Sequence, residues 1–391
     1  MNQFIELTPF FTVPQRTLAA SVADFTAREI EPRAAEGEDE DARFREMLAL
    51  LADSGLLRFA VAEAGVRFDT RSLCLIREAL SYSSSLADLA FVMQGLGTYA
   101  ISLAAPEHVR DFWLERAATG HAIAAFALTE PGVGSDIAAV QTTARYERDA
   151  ESESEFYLID GRKRFISNAG LADFYTVFAK TGTRANGRAE VSAFVVSARM
   201  NGFRVSQRTL MISPHPMGEI EFSNCRVPAE DMVGNAGDGL TLALQTLDTF
   251  RSSVGAAACG MARRALDEAI GYAKTRHQFG RPIAEHQLIQ EKLADMATEL
   301  DAARLLVYRA AYLKDAGVER ITREASQAKL YATEAAGRII DSALQIHGGA
   351  GLVRGSIIER LYRDVRALRI YEGTSEIQKL VIAGQLLKES S

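Results

Sequence analysis

The feature that most limits what this 391-residue chain can fold into is a double change of hydrophobic period. From Val13 to about Gly120, apolar residues recur three and four positions apart, as at Met47, Leu50, Leu51 and later Leu57, which marks one face of successive helices. Between His121 and about Gly234 the grammar becomes short β-rich runs: Phe156-Tyr157-Leu158-Ile159, Phe174 to Phe178, Val191 to Val196 and Glu219 to Phe222. From about Gly239 the helical spacing returns. Ile289, Leu293, Met296, Leu300, Ala303, Val307 and Ala310 then form the stripe a helix buries in a bundle.

Strands without helical spacers favour an antiparallel barrel or sandwich over a doubly wound parallel sheet. The expectation is an α+β protein with an all-helical N-terminal domain over 1–120, a β domain over 121–235 and a helical bundle over 236–391. Asp160-Gly161 reads as a hairpin turn, because both residue types tolerate positive φ, and 148–155 as an exposed charged loop. The acidic run 36–41 reads as a solvated loop between helices. Leu89 to Ala105 is the longest apolar stretch, but Gln94, Thr98 and Ser102 interrupt it, so it reads as a buried core helix rather than a membrane span.

Charge narrows the partners. A net charge of -7 provides no overall cationic field for nucleic acid or anionic lipid. Cys74, Cys225 and Cys259 are odd in number and far apart, which fits neither a disulfide framework nor a zinc site, so no metal is expected. The start, Met1 to Glu6, has neither a secretory signal's charged and apolar regions nor an arginine-rich transit pattern, which points to a reducing cytoplasm.

Four segments carry residues suited to chemistry. Ala127-Leu128-Thr129-Glu130-Pro131-Gly132-Val133-Gly134-Ser135-Asp136 ends a strand-like run with glycines that let a ligand approach the backbone and a hydroxyl able to hold phosphate. A tight turn built only for geometry explains it equally well, and it is neither a dinucleotide fingerprint nor a P-loop. Arg276-His277-Gln278-Phe279-Gly280-Arg281-Pro282-Ile283 offers two guanidiniums for a pyrophosphate, or is a polar loop between helices. Gln345-Ile346-His347-Gly348-Gly349 is a glycine-rich turn after a helix. Arg369-Ile370-Tyr371-Glu372-Gly373-Thr374-Ser375-Glu376-Ile377 sets one carboxylate beside a glycine ahead of a helix capped by Thr374 or Ser375.

In this order, with Phe165-Ile166-Ser167-Asn168 between the first two, these segments resemble the acyl-CoA dehydrogenase family of flavoproteins, over essentially the whole chain. The resemblance implies a helix, antiparallel β-barrel, four-helix-bundle architecture and an oxidoreductase acting on CH-CH groups. It implies FAD as cofactor, an acyl-CoA or acyl-carrier thioester as substrate, electron-transfer flavoprotein as acceptor, and a homotetramer or dimer. Phe126, Leu128, Thr129 and Ser135 match positions along the isoalloxazine and pyrophosphate, and Phe165 and Ser167 a ring-packing aromatic and a hydroxyl near N5. Arg276, Gln278, Phe279, Gln345 and Gly349 match positions reaching a neighbouring subunit's FAD, and Thr374 and Glu376 further cofactor contacts.

Glu372 matches the family's base, which removes the α-proton while hydride leaves Cβ for the flavin; its backbone amide would meet the enolate oxygen. Ser135, Asp248, Phe250, Arg251, Tyr371 and Gly373 match the substrate channel. Two stretches depart from the family pattern, 105–110 and 211–217. With the bulk of Phe250, they imply a short or unusual acyl group, and His215 is either a substrate contact or an ordinary loop histidine. An oxygen-using flavin oxidase or monooxygenase, and a non-catalytic assembly protein, are the competing classes.

Overall fold

The computed structural model describes residues 3–37, 39–63 and 65–389; Met1 and Asn2 of the amino-terminal reading and Glu38 of the acidic run lie outside them. Helices α1 (Gln3–Leu7), α2 (Val13–Phe25), α3 (Glu40–Asp53), α4 (Thr70–Ser83), α5 (Ser85–Ala104) and α6 (Glu107–Ala118) come first. The acidic run is only partly a loop: Asp39 caps α3 by accepting from the Ala42 amide at 2.9 Å, and Glu40 and Asp41 occupy its first turn, where negative charge meets the positive end of the helix dipole. Helix α5 has the length and apolarity of a membrane span, yet 83% of its most apolar window is buried inside the protein.

Eight strands follow: β1 (Ala124–Ala127), β2 (Thr143–Arg148), β3 (Glu155–Ser167), β4 (Phe174–Thr183), β5 (Ala189–Ser197), β6 (Phe203–Arg208), β7 (Met217–Pro228) and β8 (Met232–Val233). They form one sheet in the order β6-β7-β3-β2-β4-β5-β8, with β1 added on β4. Most pairings are antiparallel, but β1 runs parallel to β4, and β2 meets it in parallel at Thr143 and Lys180. Asp160-Gly161 is not a turn. Both residues lie inside β3, where the register against β7 shifts between Ile159 and Gly161. At φ 146° Gly161 makes a bulge that presses so close to Thr142 that a Cβ would lie 2.6 Å from its hydroxyl oxygen.

The chain then enters α7 (Gly239–Thr275) and a two-residue-strand hairpin, β9 (His277–Gln278) and β10 (Arg281–Pro282). Helices α8 (Gln287–Asp315), α9 (Thr322–His347), α10 (Ile357–Leu368) and α11 (Ser375–Glu389) complete it. In α8 the expected stripe is the buried face: Met296, Leu300, Ala303, Val307 and Ala310 are sealed, with Ile289 and Leu293 packed at its edge. One apolar core joins α4 to the bundle, and another joins the N-terminal helices to the sheet. The helix, sheet, helix architecture therefore holds, and its cores run across the joins.

Candidate active site

Helix α10 stops at Leu368, and α11 restarts when Thr374 Oγ1 accepts from the Ile377 amide at 3.3 Å. The link turns back through two left-handed residues, Glu372 at φ 53° and Gly373 at φ 91°. Glycine adopts that region freely, while a glutamate there is strained and must be held. Gln378 Nε2 donates to the Glu372 and Gly373 carbonyls at 3.1 and 3.0 Å, Lys329 Nζ donates to the Gly373 carbonyl at 2.8 Å, and Arg251 Nε reaches the Glu372 carbonyl at 3.5 Å.

The Glu372 side chain points inward, and its Oε2 is buried without a hydrogen-bond partner. Burial raises its pKa above the ordinary carboxyl value, against the pull of Arg77, Lys329 and Arg251; Asp88 adds to the rise. Arg77 is itself enclosed: it grips Asp88 at 2.8 and 2.7 Å, donates to Ser253 Oγ at 2.9 Å and hydrogen-bonds Tyr371, whose hydroxyl burial pushes upward. Arg251 pairs with Asp248 at 2.6 Å, and Thr322 donates to the other Asp248 oxygen at 2.7 Å. Phe250 is fully packed, its ring 5.7 Å from Tyr99 and 6.0 Å from Phe68. An unpartnered carboxylate of raised pKa among fixed cations can take a proton from a weak carbon acid.

A second cluster lies where β1 and β3 end side by side. The Arg164 amide donates to the Thr129 carbonyl at 2.9 Å, which sets Leu128 and Thr129 beside Phe165 and Ser167. Phe165 is half exposed at φ 55°. Beneath it Lys163 Nζ meets Glu130 Oε1 at 2.8 Å and the Leu128 carbonyl at 3.2 Å, while Glu130 accepts from the Gln141 and Thr142 amides, holding the Thr129–Asp136 loop in shape. Phe126 is partly exposed, and Ser135, Gly132 and Gly134 are open to solvent. His215 bonds Ser167 Oγ at 2.7 Å through Nε2, and burial lowers its pKa to about 4, so the ring is neutral. The ring is thus tied to Ser167, a residue the resemblance sets near the flavin.

The remaining expected residues stand apart. Arg276, Gln278 and Phe279 lie on the β9–β10 hairpin, Gln345 and Gly349 at the end of α9, all exposed. Among the described residues, no hydrogen bond, ion pair or ring contact ties that hairpin to Glu372 or to the β-strand cluster. Thr374 and Glu376 start α11; Glu376 is exposed, with its pKa lowered by the helix-start amide and Thr374. Sequence reading missed Lys329 and Gln378, which bond the Glu372 turn, Arg77, whose charge faces its carboxylate, and the Lys163–Glu130 pair. For Arg77, Lys163 and Lys329 the signal was slight: a charged residue at a position the helical or strand period assigns to the interior.

Comparison with known proteins follows the same outline. Models of the acyl-CoA dehydrogenase N-terminal, middle and C-terminal domains match residues 12–121, 125–225 and 237–387. A 3-(aryl)acrylate reductase of Clostridium sporogenes is 41% identical over 97% of this chain and 100% of its own length. A subunit of the caffeyl-CoA reductase–Etf complex of Acetobacterium woodii is 36% identical over 97% and 100%. The solved acyl-CoA dehydrogenase of Bacillus anthracis complexed with FAD superposes with a TM-score of 0.87 at 31% identity, covering 99% of this chain and 69% of that one.

Proposed function

The chain belongs to the acyl-CoA dehydrogenase family, and on that footing we propose that it is an FAD-dependent oxidoreductase that takes hydrogen from Cα and Cβ of an acyl-CoA thioester. The observation that carries the reading is the buried Glu372 Oε2, without a partner and raised in pKa. Glu372 removes the α-proton, and its own backbone amide donates to the oxygen on which enolate charge develops. Tyr371, Gly373 and Arg251 would line the substrate channel around that carboxylate, with Arg251 fixed by Asp248 and Phe250 packed against Tyr99 and Phe68.

The residues of the β-strand cluster fit FAD. Phe165 offers a half-exposed aromatic face on a backbone held at positive φ, and a Cβ placed on Gly134 would meet only open space. Phe126, Leu128, Thr129, Ser135 and Ser167 would line the same edge. Arg276, Gln278, Phe279, Gln345 and Gly349, exposed and turned to no site of their own subunit, would serve a neighbouring one, with Thr374 and Glu376 adding contacts from the α11 start. Bound there, FAD supplies the hydride-accepting chemistry at Cβ. Electron-transfer flavoprotein is the proposed acceptor, supported by the Etf complex of the second relative.

The two relatives support a second reading, in which the same site runs in reverse on an arylacrylyl thioester and Glu372 delivers the proton. One anaerobic experiment separates them. Saturated acyl-CoAs added to the oxidised holoenzyme should bleach its flavin in wild type and, at least a hundredfold more slowly, in Glu372→Gln. Equal bleaching in both would remove Glu372 from its role. Reoxidation of the reduced enzyme by caffeyl-CoA, faster than any saturated thioester bleaches it, would assign the reductive direction.

A further inference from the structure

Beside Glu372 lies another titratable group that proton transfer leaves without a task. Lys329 sits in the N-terminal third of α9 with no solvent exposure. Its Nζ donates to the Gly373 carbonyl at 2.8 Å, the peptide immediately after the strained glutamate. We propose that Lys329 is a positioning residue for the base, pinning the Glu372–Gly373 turn and presenting a positive charge that favours the ionised carboxylate. The proposal rests on Glu372 being the base.

Hydrogen-bond accounting separates this from plain structural support. The Gly373 carbonyl already accepts from Gln378 Nε2 at 3.0 Å, and the Glu372 carbonyl from the same group at 3.1 Å. Each of the turn's carbonyls therefore already has a neutral donor, so Lys329 adds a second tie to the Gly373 oxygen and, with it, a charge that an amide does not bring. Removing an ammonium from water is unfavourable, and an apolar side chain would fill the same core position without that cost. The charge faces Glu372 from the loop, Glu334 from α9 itself, Glu376 from α11 and, with like sign, Arg251 from α7. The carboxylate in turn sees Arg77 from α4, Asp88 from α5 and Arg251 from α7. Burial lowers the Lys329 pKa to about 8, which leaves it charged at neutral pH, when the base must be ionised, and discharged in alkali.

The test uses the FAD-loaded enzyme and Lys329→Met and Lys329→Arg. The infrared band of the protonated Glu372 carboxyl, identified by its loss in Glu372→Gln, is followed against pH without substrate. In Lys329→Met its midpoint should move to higher pH, and the bleaching rate at pH 7 with the fastest saturated acyl-CoA should fall about tenfold or more, with KM little changed. Lys329→Arg should restore both toward wild type. A midpoint unmoved in a folded Lys329→Met protein, or an arginine variant as slow as the methionine one, overturns the proposal; Lys329→Gln carries the same test if the methionine variant does not fold. Failure of the base assignment shows differently, as full bleaching in Glu372→Gln whatever Lys329 does.

Discussion

Lys163 is sealed under the Thr129–Asp136 loop, where its ammonium meets Glu130 at 2.8 Å with both side chains almost wholly enclosed. Taking one partner away leaves the other charge buried, and the loss should be larger than the pair's net worth. Lys163→Met should cost about 3 kcal/mol in denaturant unfolding, and adding Glu130→Gln should recover part of it. Unchanged stability in the single variant would show that the two amides on Glu130 suffice. The pH dependence has a definite sign. In the fold Lys163 holds its proton less tightly than its ordinary 10.5, down to about 8, so between those values the unfolded chain binds more protons and this residue's contribution rises with pH. Glu130 is held below 4.5 by Lys163 and its amides, so its contribution is present above that value and lost as pH falls through the folded pKa. Glu372 was legible only through its motif: a lone carboxylate beside a glycine in a loop reads first as a solvated one, and its burial comes from the folded neighbours. Lys329 and Arg77 were not: a helical period marks which positions point inward, and only the folded neighbours reveal that an inward charge has partners.

The β9–β10 hairpin shows what an element can carry beyond its local propensity. Its tip is Phe279 at φ 53° and Gly280 at φ 81°, the pair of left-handed residues a two-residue hairpin requires. Glycine suits both places, yet the first holds a phenylalanine that is 93% exposed, so the ring buries nothing in its own chain and the backbone carries the strain. Phe279→Gly should leave the chain as stable as before or more so, by up to about 1 kcal/mol, because the left-handed penalty disappears. The same change should weaken FAD binding by about tenfold or more if the ring packs on a neighbour's cofactor, read by equilibrium dialysis beside a thermal melt. FAD bound as tightly as in wild type would end that role for the ring. The helix and strand blocks were legible because their periods of 3.6 and 2 run over long windows. Asp160-Gly161 misled because the residues that permit a hairpin also permit a bulge, and the choice lies with β7 opposite, where Phe222 and Cys225 pair with Gly161 and Ile159. In the acidic run, Asp39 proved to be a helix cap because its carboxylate finds the Ala42 amide, a bond that charge counting cannot see.

Across the whole molecule, the N-terminal and C-terminal helices are locked by a buried polar network as well as by apolar packing. Glu78 on α4 accepts from Arg304 at 2.6 Å and from Tyr308 at 2.7 Å, both on α8, and the Tyr308 ring lies in the same core as α7 and α9. This fixes the frame in which Arg77, one residue earlier on α4, faces Glu372. The outer side of the bundle is unlike its interior. Leu288 on α8, Leu352 and Val353 after α9, and Leu380 on α11 are more than half exposed, on the part of the chain that also bears Phe279, Gln345 and Gly349. An interface would cover exposed apolar side chains such as these on the outer helices, and a helical bundle packing its outer faces against copies of itself gives a closed assembly. The homotetramer or dimer that the family resemblance implies would cover them and bring the hairpin of one subunit to the β-strand cluster of another. Leu380→Glu places a charge on that face without touching Glu372, Phe165 or the hairpin. Sedimentation should find the wild type as a tetramer and the variant as smaller species, and the smaller species should lose FAD on gel filtration while keeping its helical circular dichroism. A wild-type monomer that retains FAD through dilution would show that each subunit completes its own cofactor site, and the exposed leucines would then need another partner.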